Sequence, residues 1–389
     1  MHPALLFIGF FFFAVSYNLL GPLATNLMAS TGLSLSQSGS LVSFVQLGSL
    51  IAMTLFLTLF KQRSQSTIVR LGYFVMFVAL GLVSLLHAHA LIFIGFLFLG
   101  FASFLIDGGS NAFLSSAYYD KRALYIPLLH FAYSLGAIST GYIIIPFKGE
   151  FWYVAYLIVS LVMLTLLIIG LLSYKKRPAE QLHKEERVQA PVLPILKQKP
   201  FILYTIVILL YMGSQIICSA WIPVYVESEL HQGPAITGTS LTLFWFGIAI
   251  ARLISGPLLQ RGVKPYNLAL YGLFLSALSL VGVTQTQNIV LVLLLVWLCG
   301  FFAGASIPMY LYVGSTWFPS NTAFVSTSYI FSGAVGRMIF PYLVTVLATY
   351  TTMRFALLVS SIMLFVAVLL VMIIKNITRN TLETLYNPT

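Results

Sequence analysis

Runs of about 18 or more apolar residues, the length that crosses hydrocarbon as a helix, recur along nearly the whole chain. They extend from PALLFIGFFFFAV near its start to FALLVSSIMLFVAVLLVMIIK near its end. Only 7% of residues are charged, against roughly 25% in a soluble domain, so an aqueous-core fold is excluded. The opening run, MHPALLFIGFFFFAV, has no basic segment before it and no small-residue cleavage site after it. It reads as a retained first span rather than a signal peptide.

The spans fall near 4–27, 38–60, 67–86, 91–118, 123–146, 152–174, 201–226, 236–260, 265–284, 289–317, 321–348 and 354–374. Of the 20 Lys and Arg residues, sixteen lie in loops on one side, including Lys61, Arg63, Arg70, Lys121, Arg122, Arg261, Lys264, Lys375 and Arg379. Only Lys148 and Arg354 lie on the other side. Basic loops stay in the cytoplasm, so a multi-pass protein of the cytoplasmic membrane with both termini cytoplasmic is expected. Topology therefore accounts for the net charge of +11. Nucleic acid does not, because the basic loops lack interleaved aromatics.

One connection is long, the charged and proline-containing stretch 175–199. It reads as a cytoplasmic linker between an N-terminal six-helix bundle (1–174) and a C-terminal six-helix bundle with a short cytoplasmic tail (200–389). The halves match at a constant offset. Gly39 and Gly48 answer Gly238 and Gly247 at 199, while Gly100, Phe101, Ser115, Phe131 and Gly136 answer Gly300, Phe301, Ser315, Phe331 and Gly336 at 200. Pro22 answers Pro223. The fold class is then an all-α membrane protein with twelve transmembrane helices in two pseudo-symmetric six-helix bundles. Halves related in this way hold a solute between them at mid-depth.

Two charges stand deep inside spans, Asp107 in FLFLGFASFLIDGGSNAFLSS and Arg337 in YIFSGAVGRMIFPYLVTVL. A charge at that depth costs several kcal/mol by insertion scales, so it faces a partner or a wet cavity. Ser103, Asp107, Asn111 and Ser115 follow at intervals of four, on one helix face. A buried carboxyl favours its proton-bound form, which makes Asp107 the candidate for proton coupling. A structural carboxylate satisfied by a neighbouring helix is the alternative. In IPLLHFAYSLGA, His130 could relay protons, donate to a solute or simply pack.

From GFASFLIDGGSN to LLHFAYSLGA the chain resembles the fucose:proton symporter family of the major facilitator superfamily. That family carries acid-x-x-x-Asn in span 4, then a Leu-x-x-His/Gln aromatic stretch and Gly-Ala in span 5. Asp107 to Asn111 and His130 fit the pattern. Tyr17-Asn18, Arg252 to Arg261 and Gly304 to Pro308 fit more loosely. The resemblance implies the major facilitator fold and a proton-coupled sugar carrier, with Asp107 as proton or sugar ligand. In fucose permeases a second acid follows three residues after the asparagine that Asn18 resembles, and here that position is Gly21, so fucose itself is not supported. The superfamily's loop signature survives best as Gly256-Pro-Leu-Leu-Gln260-Arg261-Gly262, which assigns Arg261 and nearby Arg252 to a cytoplasmic gate, with Arg252 able to snorkel.

Arg337 lies roughly 24 Å of helical rise inside its span, too deep to snorkel. Asp107, a solute anion, and carbonyls freed near Pro341 compete as its partner. A carboxylate or phosphate would suit its planar guanidinium. Asn18, Tyr211, Gln215 and Tyr310 are further candidates for solute contact, since sugars need amide, hydroxyl and aromatic partners. Pro22, Pro223, Pro308 and Pro341 interrupt helices and are candidate gating hinges. Cys218 and Cys299 read as packing residues.

No phosphate-binding loop or metal-ligand spacing is present, and eight of the nine carboxylates lie in loops, at span edges or in the tail. An enzyme is therefore not expected. The expectation is a monomeric secondary transporter in the lipid bilayer, moving a sugar or similar small polar solute by alternating access, with protons as coupling ion and no cofactor. A proton-driven exporter of drugs or amphipathic metabolites, and a carrier of a small organic anion bound by Arg337, are the alternatives. A non-transporting receptor or scaffold is opposed by the polar faces at mid-depth.

Overall fold

The computed structural model describes residues 2–58, 64–85, 88–118, 122–173, 193–306, 309–310, 313, 317–318 and 321–378. Most of the linker, Pro308 and the basic residues Lys61, Arg63, Lys121 and Arg379 lie outside the described residues, as does the side chain of Ser115. In the N-terminal half run α1 (Pro3–Asn18), α2 (Leu20–Thr31), α3 (Leu35–Thr58), α4 (Gln65–Leu85), α5 (His89–Ala117), α6 (Arg122–Ile143) and α7 (Trp152–Leu172). The short α8 (Leu193–Leu196) leads into α9 (Lys199–Ser228), α10 (Pro234–Gln260), α11 (Pro265–Gln285), α12 (Ile289–Gly304), α13 (Thr322–Tyr350) and α14 (Met353–Ile377).

Among the described residues nine helices are long and apolar enough to cross a membrane, and α1 with α2 makes a tenth. The shorter apolar helix α12 and the 22-residue α6, which is not among those ten, take the two remaining places of the twelve-helix plan. Helices dominate because hydrocarbon offers no partner to a backbone N–H or C=O. The first span is not the continuous helix expected over 4–27. It bends by 47° between α1 and α2. Pro22 has no N–H to give the carbonyl of Asn18, four residues back, so the ladder breaks there.

The two halves repeat one packing scheme. In the first, α5 packs on α3 and α4, α7 on α4, and α6 on α1. In the second, α12 packs on α10 and α11, α14 on α11, and α13 on α9. The glycines matched in the sequence mark equivalent crossings. A Cβ on Gly48 would run into the carbonyl of Leu97, and one on Gly247 into that of Trp297. Likewise Gly100 meets Val45 where Gly300 meets Phe244, and Gly136 meets Phe11 where Gly336 meets Leu209. Small residues let membrane helices approach backbone to backbone, which is why these positions survive in both copies.

The halves meet through α3 against α13, α6 against α10, and α2 against α9. The contacts gather at one end. There Gly141 and Gly238 touch backbone to backbone, and Gly39 lies against Thr345. Thr242 Oγ1 donates to the carbonyl of Ile138 at 2.7 Å, and Lys148 forms an ion pair with Glu227, which also accepts from Thr25 Oγ1 at 2.8 Å. Buried residues of both halves fuse into one apolar core at this end, whereas Tyr204, Tyr310, Val371 and their neighbours near the other end of the second half form a separate cluster. Among the described residues, these close contacts between the halves lie at the Lys148 end.

Candidate functional site

A cavity of about 270 Å³ lies between the halves. Asp107 reaches it from α5 and Arg337 from α13, each from near the middle of a 29-residue helix. His130 of α6, Gln215 of α9 and Arg252 of α10 line the same wall-to-wall space. At Met53 the cavity borders a second hollow of about 470 Å³ at the linker end, lined also by Leu196, Phe201 and Phe324.

On the α5 stripe, Asp107 and Asn111 are joined side chain to side chain. Asn111 Nδ2 donates to the carboxylate Oδ1 of Asp107 at 2.8 Å and to its main-chain carbonyl at 3.0 Å. The second carboxylate oxygen has no protein donor among the described residues. Ser103, one turn earlier, turns its hydroxyl to the carbonyl of Leu99 and also borders the cavity. His130 sits edge-on to Phe10, with ring centroids 6.0 Å apart. Both His130 and Arg337 line the same cavity as Asp107.

No ion pair joins Arg337 to Asp107. The Nε of Arg337 is buried without a hydrogen-bond partner among the described residues. Arg252 was expected at the cytoplasmic gate, yet its side chain borders the cavity. Arg261 lies at the end of α10, exposed, away from this space.

Other expected residues sit elsewhere. Asn18 is buried, donates to the carbonyl of Ala14 at 2.8 Å, and borders a separate void of about 20 Å³. Tyr211 donates to the carbonyl of Ala303 at 2.7 Å, and Tyr310 packs between Tyr204 and Tyr211 in the core of the second half. Gln215 bridges core and cavity, its Nε2 lying 3.4 Å from the Tyr211 hydroxyl. Pro22 and Pro223 are buried in α2 and α9, the helices that meet at the Lys148 end.

Several cavity residues carried no mark in the sequence reading. Gln46 of α3 donates to the hydroxyl of Tyr17, and both face the cavity. Tyr133 of α6 and Trp245 of α10 meet edge-on across the halves, 6.1 Å apart, and the indole N–H of Trp245 has no partner among the described residues. Gln46 could have been found as an amide in the middle of an apolar run. Among the described residues no cluster of three or more His, Cys, Asp or Glu could hold a metal ion.

The family model of the Major Facilitator Superfamily matches residues 6–261 and again 203–384. A search of curated proteins finds no match. Among solved structures, a variant of the nucleoside transporter NupG is similar with a TM-score of 0.80 at 12% identity, over 95% of this chain and 98% of that one. A bacterial homologue of the human lysosomal transporter Spinster, inward-facing and unoccupied, gives 0.78 at 11% identity over 96% of each chain. A variant of the peptide transporter POT gives 0.76 at 12% identity, over 97% of this chain and 93% of that one. At such identities the likeness is one of fold.

Proposed function

The chain belongs to the Major Facilitator Superfamily, and from that premise we propose that it is a proton-coupled secondary transporter of a small polar solute, a sugar or comparable polyhydroxylated compound. It works by alternating access in the cytoplasmic membrane. The observation that carries this reading is that Asp107 and Arg337, from different halves, line one cavity. A transporter needs polar groups at mid-depth and two bodies that can rock about them. At about 270 Å³ the cavity lies just below the roughly 300–1,000 Å³ range of drug-sized ligand sites, which suits a solute of monosaccharide size.

Asp107 carries the proton, with Asn111 fixing one carboxylate oxygen so that the other is presented to the solute. Gln46, Gln215 and His130 offer hydrogen bonds, and Tyr133 with Trp245 supplies the aromatic wall that sugar faces pack on. Asn18, Tyr211 and Tyr310 lie off the cavity and act through packing. Pro22 and Pro223 serve as hinges where the halves separate. The excess of basic residues at the linker end supports a cytoplasmic location for that end and for both termini.

The test is uptake into proteoliposomes with internal pH recorded and a proton gradient imposed. Wild-type protein is expected to accumulate a solute from a sugar panel above equilibrium, and Asp107→Asn to abolish accumulation. Retention of gradient-driven accumulation with unchanged pH dependence would remove the coupling role. A second reading, export of an amphipathic solute, is favoured by the aromatic wall. It predicts that lipophilic cations, not sugars, protect a cysteine placed at Gln215 from labelling.

A further inference from the structure

We propose that the polyhydroxylated solute carries an anionic group, bound by Arg337 and Arg252 of the C-terminal half, so that the chain co-transports a proton with a sugar acid or sugar phosphate. This rests on the reading of the cavity as the transport site. Its first support is the charge count. Two guanidiniums, Arg252 and Arg337, and one carboxyl, Asp107, face the same space. With Asp107 ionised one positive charge is left over, and with Asp107 protonated two are. His130 can only add to that excess.

The second support is the state of Arg337. Its Nε is buried and unpaired among the described residues, and no carboxylate lies within ion-pairing distance of it. A buried donor without an acceptor is disfavoured, and arginine keeps its charge where lysine would lose it. A neutral hydroxyl offers one acceptor to this planar group, whereas a carboxylate or phosphate offers two in matching geometry.

The third support is the division of labour. Asp107 with Asn111, Gln46 and His130 come from the first half, and Arg252, Arg337 and Gln215 from the second. Tyr133 lines the same cavity. An anion seated on the two arginines faces Asp107 across the cavity. Like charges repel, so its arrival favours the protonated acid, and anion and proton load together. One proton with one monovalent anion leaves the net charge of the moving load at zero.

The experiment compares hexuronates, aldonates and hexose phosphates with their neutral parent sugars, first by thermal shift of the purified full chain. Anions are expected to stabilise the protein where their neutral parents do not, with at least tenfold weaker binding in Arg337→Gln and Arg252→Gln. Arg337→Lys, which replaces the planar fork with a single ammonium group, is expected to bind with intermediate strength. In proteoliposomes, uptake of a monovalent anion is expected to be insensitive to an imposed membrane potential. Equal binding of neutral parents, absence of binding by every anion, or undiminished anion binding by Arg337→Gln would overturn the proposal. If a neutral sugar accumulates with protons while anions are ignored, this inference falls and the coupling role of Asp107 stands. If anions bind but Asp107→Asn still accumulates them, the coupling role falls instead.

Discussion

Lys148, just beyond α6, is ion-paired with Glu227 near the end of α9, so the two halves are tied by opposite charges at the end where their close contacts lie. The lysine side chain is 5% exposed and the glutamate 25%. A pair this sheltered is not screened as surface pairs are, and removing one partner strands the other. Lys148→Ala and Glu227→Gln are each expected to loosen that end, raising the labelling rate of a cysteine placed at Thr242 about tenfold, a shift of about 1.4 kcal/mol. The charge-swapped double variant, Lys148→Glu with Glu227→Lys, is expected to restore protection.

Asn111→Leu removes the Nδ2 group that donates to the Asp107 carboxylate and to its main-chain carbonyl. A hydrogen bond to a charged group contributes about 1.5–3 kcal/mol, so proton-driven uptake is expected to fall roughly 10- to 100-fold. The unfolding temperature is expected to change little, because Leu fills the same space. Uptake assays alongside thermal unfolding separate the two outcomes.

Gly100→Ala and Gly300→Ala each drive a methyl into the carbonyl of a neighbouring helix, Val45 and Phe244 respectively. Overpacking of this kind costs about 1–3 kcal/mol. Both variants are expected to unfold at lower temperature and by similar amounts, because the crossings are equivalent. Gly81→Ala is the control, since the nearest atom to its new methyl is the Ser160 hydroxyl at an ordinary 3.7 Å. It is expected to leave the unfolding temperature unchanged or slightly raised.

Pro22→Ala restores an N–H opposite the carbonyl of Asn18 and favours a straight first span over the 47° bend. Since α2 packs on α9, straightening strains the Lys148 end. Transport is expected to slow several-fold while solute affinity, read by thermal shift, holds within about threefold.

The helices were legible because hydrocarbon dictates them, and the duplicated plan because its glycines stand where backbones cross. Asp107 and Arg337 stood out for the cost of burying charge. Gln46 and Trp245 did not, since an amide or an indole is tolerated in many membrane helices without a function. Tyr211 and Tyr310 show a different limit. Helical spacing identifies an inward face, but both the core of a half and the cavity between halves are inward, and only packing separates them. Arg252 was read by its distance from the end of α10, which says nothing about the direction its side chain takes. The bend after Asn18 was foreshadowed by Pro22, but its size depends on α9, 180 or more residues further along the chain.

The bare backbone contact of Gly141 with Gly238 bears on energy conservation in the idle cell. With no side chains between them, the two helices leave no file of water along which protons could hop. For a carrier coupled to protons, as proposed, a seam sealed in this way keeps the gradient from leaking through the resting molecule. A bulkier residue at either glycine would prise the seam apart, and the first sign would be acid seeping into empty vesicles with no solute present at all.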